Sequence, residues 1–255
     1  GSGSIGTALG AKSAPDGYTF VIVFDTHAVN PSLIPNLPFD TLKDFDPISL
    51  IVNADSVLVV TPALPAKSVK ELMELAKSKP LNYASAGNGS VNHLSGEFLA
   101  SMAGVTLNHV PYKGSGPALV EVMGGQVDFL CDGTATAAQP INAGKVRAIG
   151  VSSRERVHTL PNVPSLHEQG LTGFELRPWT GIYAAPGTPR AVVDRLTAAL
   201  KDTLAEKEFV AQLDKLSLLP ATVEQATPVG LQVHLKAEIE KWGTILKKAG
   251  IPQVD

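Results

Sequence analysis

The run Asn82-Tyr83-Ala84-Ser85-Ala86-Gly87-Asn88-Gly89-Ser90-Val91-Asn92-His93-Leu94 joins a short strand, a Gly/Ser turn and a helix start. Such a turn points backbone N–H groups and the positive end of the helix dipole at an anion. Small residues also let that anion approach the main chain closely. The chemistry is capture of a carboxylate or phosphate; a turn serving only chain reversal is the alternative. No Gly-Lys-Ser/Thr follows it, so it is not a phosphate loop of the nucleotide-hydrolase kind. Gly1-Ser-Gly3-Ser-Ile-Gly6 has dinucleotide-binding spacing, but no strand precedes it.

Three other strand ends offer polar groups. Phe24-Asp25-Thr26-His27-Ala28 places a hydroxyl and an imidazole there, with Asp25 or His27 as simple caps in the bland reading. Pro111-Tyr112-Lys113-Gly114-Ser115-Gly116-Pro117 presents Ser115 and the N–H groups around Gly114 at a helix start, whereas Lys113 reads as a solvated loop lysine. Leu130-Cys131-Asp132-Gly133-Thr134 ends a strand, with Asp132 or Thr134 capping the helix that follows.

Cys131 beside His93 or His27 would make a nucleophile pair, but no cysteine-enzyme signature surrounds it, so the thiol reads as buried and structural. No Gly-x-Ser-x-Gly elbow and no metal-ligand spacing of His, Asp or Glu is present, and neither a catalytic group nor a cofactor is expected. Trp179 and Trp242 read as packing residues. Glycine- and hydroxyl-rich helix starts without an acid–base pair describe a binding site more than an active site.

The elements that must position these groups alternate. Strands are predicted at 18–24, within 47–60, and at 81–84, 107–110, 127–130, 146–151 and 181–185. Helices are predicted after the capping box Ser68-Val-Lys-Glu71, at 91–102 with Gly104 as C-cap, and at 117–123 and 134–142. Residues 5–13 read as helical, and 159–173 as loop with a short helix. From 191 the chain turns to amphipathic helix, at 191–205, 207–216 and 229–249.

At 255 residues, 44% apolar and 18% charged, the chain has ample material for one large core or two smaller ones. A net charge of −3 without basic clusters argues against nucleic acid, and no apolar run reaches membrane-spanning length. The single cysteine excludes an internal disulfide. Late helices that lack a sheet of their own predict a domain built from both chain ends around a middle domain: 1–57 with 178–255, and 58–177. Crossing segments are expected near Val57–Thr61 and Phe174–Trp179.

Ala14-Pro-Asp-Gly-Tyr-Thr19, Asn30-Pro-Ser-Leu33, Pro65-Ala-Lys-Ser-Val-Lys-Glu-Leu72, His109-Val-Pro-Tyr-Lys-Gly114, Gly124-Gly-Gln-Val-Asp128, Leu160-Pro-Asn-Val-Pro164 and Ala185-Pro-Gly-Thr-Pro189 join the turn at 81–94 in one ordered set. From end to end the chain resembles the extracytoplasmic receptors of tripartite tricarboxylate transporters, the Bug or TctC-like proteins. The resemblance implies an α/β fold of two lobes, periplasmic-binding-protein-like (type II), each lobe a mostly parallel sheet covered by helices, with the ligand cleft between the lobes.

It also implies a periplasmic, monomeric protein that clamps a small carboxylate (a di- or tricarboxylate, amino acid or aromatic acid) and delivers it to membrane permease subunits. Carried over by position, the ligand contacts are Thr26, His27 and Ala28, then Ala86, Gly87, Ser90 and His93, with Gly114 and Asp132 opposite. Family members begin with a signal peptide, then a strand and Gly-rich loop that help form the site; Gly1–Thr7 matches the stretch after that unit. Cys131 stands where the family more often has Phe. Other functional classes are a hydrolase-like enzyme using Cys131 or Ser90 with His93, and an effector-sensing module of a regulator.

Overall fold

In a computed structural model, which describes residues 3–253, the alternating elements form two sheets, each within its own compact unit. Unit 1 comprises Gly1–Asn53, Trp179–Lys215 and Leu219–Asp255; unit 2 comprises Ala54–Pro178 and Leu216–Leu218. The divisions therefore fall at 53/54 and 178/179, with a short second excursion into unit 2 at Leu216–Leu218. The Gly1-x-Gly3 dinucleotide-like pattern lies partly outside the described residues.

In unit 1, α1 (Ser4–Ala11) precedes β1 (Phe20–Phe24), and α2 (Thr26–Leu33) follows at once. Neither α2, which contains Pro31, nor the short β9 (Leu218–Pro220) was expected from sequence. β1, β2 (Asp46–Ala54) and β8 (Trp179–Ala184) lie in the order β1-β8-β2-β9. Ile48, Ala184 and Val193 form a buried cluster in which α7 (Arg190–Ala205) covers the sheet with Leu196 and Leu200. After α8 (Lys207–Lys215), the long α9 (Pro228–Ala249) buries Leu231, Leu235, Trp242, Ile245 and Leu246, an apolar stripe at helical spacing. Thr227 caps it by accepting the Gly230 N–H, and Gly250 at φ +64° ends it.

Unit 2 runs β3 (Ser56–Val60), α3 (Val69–Ser78), β4 (Leu81–Ser85), α4 (Val91–Ala103), β5 (Leu107–Pro111), α5 (Ser115–Met123), β6 (Phe129–Gly133), α6 (Thr134–Asn142) and β7 (Arg147–Val151). The strand order is β5-β4-β6-β3-β7. Every residue of β3 is buried, as expected of a central strand covered on both faces. Ser68 caps α3 as predicted, although the Glu71 carboxylate reaches back to the Lys67 N–H rather than to that of Ser68. The expected short helix within 159–173 is absent: that stretch is turns, joined to β7 by a bridge between Val151 and Ser165.

The expectation of mostly parallel sheets needs correction. β8 in unit 1 and β3 in unit 2 each run against the neighbours on both sides. Only the β4–β5 and β4–β6 pairings are parallel among those described in register. The physical reason lies in how these two strands enter their sheets. β3 starts one residue after β2 of the other sheet and β8 starts where the chain returns from unit 2, so neither follows a neighbour through the helical crossover that parallel pairing needs. Among the described residues no helix is long and apolar enough to cross a membrane.

Candidate functional site

Because β5, β4 and β6 are parallel neighbours, their carboxyl ends share one edge of the unit 2 sheet, and α4, α5 and α6 all start there. Open α/β sheets bind ligands at such an edge. The strand order thus brings together Ala86, Gly87, Ser90 and His93 after β4, Gly114 before α5, and Asp132 in β6. The Gly114 N–H bonds to the Ala86 carbonyl at 3.2 Å, and the Tyr112 N–H to the Ser85 carbonyl at 3.0 Å. Gly87 sits at φ +127°, which favours glycine, and a Cβ there would lie a tight 3.3 Å from the Tyr112 carbonyl oxygen.

The turn spends much of its own polarity on itself. The Gly87 N–H bonds to Ser85 Oγ at 3.0 Å, the Ser90 N–H to the Gly87 carbonyl at 3.1 Å, and the Gly89 N–H to His93 Nδ1 at 3.1 Å. Ser90 Oγ donates to the Gly87 carbonyl and accepts the His93 N–H as the α4 cap. What the helix start offers an anion is its dipole and the first-turn N–H groups of Val91 and Asn92.

Asp132 is buried between the starts of α4 and α5. Its Oδ1 accepts from Asn92 Nδ2 at 3.2 Å, and the same amide group donates to the Cys131 carbonyl at 2.6 Å. Oδ2 has no partner among the described residues. Burial raises the carboxyl above its ordinary range, while Ser115, the Gly133 N–H and Asn92 oppose that rise. Neither Asp132 nor Thr134 caps α6. The N-cap is Gly133, and the N–H and hydroxyl of Thr134 bond instead to the Asp55 carbonyl.

In unit 1 the three expected contact residues open α2, where the Asp25 carboxylate accepts the Thr26 N–H at 3.0 Å. Thr26 is half-buried, but Ala28 is fully buried and His27 is only 2% exposed. The His27 ring lies among Phe39, Phe45 and Tyr183, with centroids 5.2 to 6.0 Å away, and neither ring nitrogen has a hydrogen-bond partner among the described residues. Burial lowers its pKa to about 4. Its imidazole is a core group in this structure, placed to pack rather than to reach solvent.

Cys131 shows no nucleophile chemistry. Burial pushes its thiol up to about 12, a rise that the neighbouring Ser95 hydroxyl partly opposes. His93 instead engages Gly89, and faces Glu97 at 3.8 Å. Trp179 and Trp242 are buried. Among the described residues no group of three or more His, Cys, Asp or Glu could hold a metal. Sequence reasoning did not single out Asn92, Ser85 or His109. The separation of 40 residues between Asn92 and Asp132 leaves no local signal.

Residues 1–251 match the family described as the tripartite tricarboxylate transporter family receptor. The structure resembles the periplasmic binding protein BugD (TM-score 0.92, 36% identity, covering 99% of this chain and 85% of that one). It also resembles an R. palustris protein with adipate (TM-score 0.93, 32% identity, 100% and 85%). A third likeness is to MatC from Rhodopseudomonas palustris with bound malate (TM-score 0.89, 33% identity, 96% and 84%). These are solute-binding proteins, not enzymes, and they share the periplasmic-binding-protein fold. With a match that spans nearly the whole chain, the protein belongs to the receptor family of the tripartite tricarboxylate transporters.

Proposed function

We propose that this chain is a periplasmic receptor that captures a small carboxylate and delivers it to the permease subunits of a tripartite tricarboxylate-type transporter. The observation that carries the reading is the convergence of three helix starts, α4, α5 and α6, on one edge of the unit 2 sheet. Helix N-termini gathered this way favour negative charge without a metal or an arginine. Adipate and malate in two structural neighbours agree with that chemistry. The ligand carboxylate would sit against the starts of α4 and α5, beside Ala86, Gly87, Ser90 and Gly114. Thr26 of unit 1 is a further contact to be tested separately. The receptor acts as a monomer, and the two units are its lobes.

Thermal unfolding with malate, adipate and a panel of amino acids and aromatic acids tests this. A ligand at 100 times its dissociation constant adds about 2.7 kcal/mol of stability and raises the melting temperature. A shift for at least one acid, absent for the matching amide, supports the reading. No shift for any member of the panel would overturn it.

A further inference from the structure

Next to the 86–90 turn lies a stack of rings of which only His93 was expected to meet the ligand. The His93 and His109 centroids are 4.0 Å apart with 19° between planes, and Tyr83 stacks on His109 at 5.0 Å and Phe129 on Tyr83 at 5.7 Å. We propose that His93 and His109 are positioning residues that hold the Ala86–Ser90 turn in its anion-binding shape, so that acidification loosens the site. The inference rests on the carboxylate-receptor reading and gives its site a control by protons.

The hydrogen bonds run from the rings to the turn. His93 Nδ1 accepts the Gly89 N–H, so the neutral ring carries its proton on Nε2, which faces Glu97. His109 Nε2 lies 2.6 Å from Ser85 Oγ, and that oxygen accepts the Gly87 N–H. The two glycines at φ +127° and +75° are thus each pinned by one histidine, Gly89 directly and Gly87 through Ser85. A proton added at His93 Nδ1 removes the acceptor on which Gly89 depends. A second charge 4.0 Å away on His109 would then be repelled.

The groups facing the pair are few. Glu97 on α4 favours a charged His93, and its carboxylate is also engaged by the Tyr83 hydroxyl of β4. β5 contributes His109 itself. On β6, Asp132 is turned to Asn92 and Cys131 to Ser95, on α4. Burial lowers both histidines, His109 to about 4 with His93 as the lesser cause, so both are neutral at pH 7.

The test uses ring and amide NMR together with binding of malate and adipate. In the wild type, the His93 ring nitrogens should show an Nε2-protonated imidazole at pH 7. The Gly89 amide shift should follow the same titration as that ring. His93→Ala should weaken binding about tenfold or more at pH 7. His93→Asn, whose Oδ1 can take the Gly89 N–H without titrating, should recover much of the binding that His93→Ala loses at pH 7 and should lose less than the wild type on going to pH 4.5. That comparison cancels titration of the ligand itself. A Gly89 amide indifferent to His93, or His93→Ala binding as the wild type does, would overturn the proposal. If neither acid binds the wild type, the choice of ligand class has failed, and the ring and amide shifts still decide the positioning role.

Discussion

Arg177 Nε lies 3.1 Å from Asp55 Oδ1, joining residues 122 apart, each close to a place where the chain passes between its units. Beside this pair the Ala54 N–H bonds to the Pro178 carbonyl at 2.7 Å. The Asp55 side chain is 5% exposed and that of Arg177 is 42% exposed, so the pair has one buried and one wet end.

Arg177→Ala strands the buried Asp55 carboxylate. The expected cost is ~1–3 kcal/mol, below that of a fully buried pair because the guanidinium is partly solvated. Urea unfolding of Arg177→Ala, Asp55→Asn and the double variant measures it. The two single losses should exceed the double variant's loss when summed; strict additivity would deny the coupling.

Gly96 on α4 packs against the Tyr83 ring, where a Cβ would stand 2.3 Å from Cε2. Gly96→Ala gains helix propensity but overpacks a buried face, so a net loss of about 1–3 kcal/mol is expected. The change should also move the His93 and His109 ring resonances, since Tyr83 stacks on both. An alanine variant as stable as the wild type would show that the ring stack yields freely.

His27→Phe replaces a buried imidazole that has no hydrogen-bond partner among the described residues by a ring that suits Phe39, Phe45 and Tyr183. The expected gain is ~1 kcal/mol at pH 7. The sign with pH follows from linkage. The folded pKa is about 4, below the ordinary value of 6.5, so the unfolded chain binds the extra proton. Stability from the neutral ring is present above pH 6.5 and is lost as pH falls toward 4. The advantage of phenylalanine should therefore grow from pH 7 to pH 5 in urea titrations. A variant less stable than the wild type at both values would refute the packing account of His27.

Cys131 should resist a thiol reagent in the native protein at pH 8 and react once in denaturant, because burial holds the thiol protonated and out of reach. Stopped-flow labelling measures this. Rapid native labelling would contradict the buried placement.

Much of this was legible in single stretches of chain. Ser68 caps its helix and Gly104 ends another at φ +63°, because capping is satisfied within three or four residues. The Gly/Ser turn was legible too, yet not its internal bonding. Three of its N–H groups are taken by Ser85, Gly87 and His93, a competition that composition alone does not reveal. α2 escaped notice because Pro31 breaks the helical pattern. His109 escaped because its partner Ser85 is 24 residues away, on the adjacent strand.

By itself, the sequence determined the alternation of strands and helices, the presence of small residues at helix starts, and the family. These are properties of local spacing and of ordered motifs along the chain. Only the tertiary structure decided that β4 lies between β5 and β6, which sets three helix starts on one edge. It also decided that β3 and β8 run against their neighbours, that His27 is buried among aromatic rings, and that His93 turns to Gly89. Strand order and side-chain partners depend on hydrogen bonds and burial between residues tens of positions apart, and no local propensity encodes them.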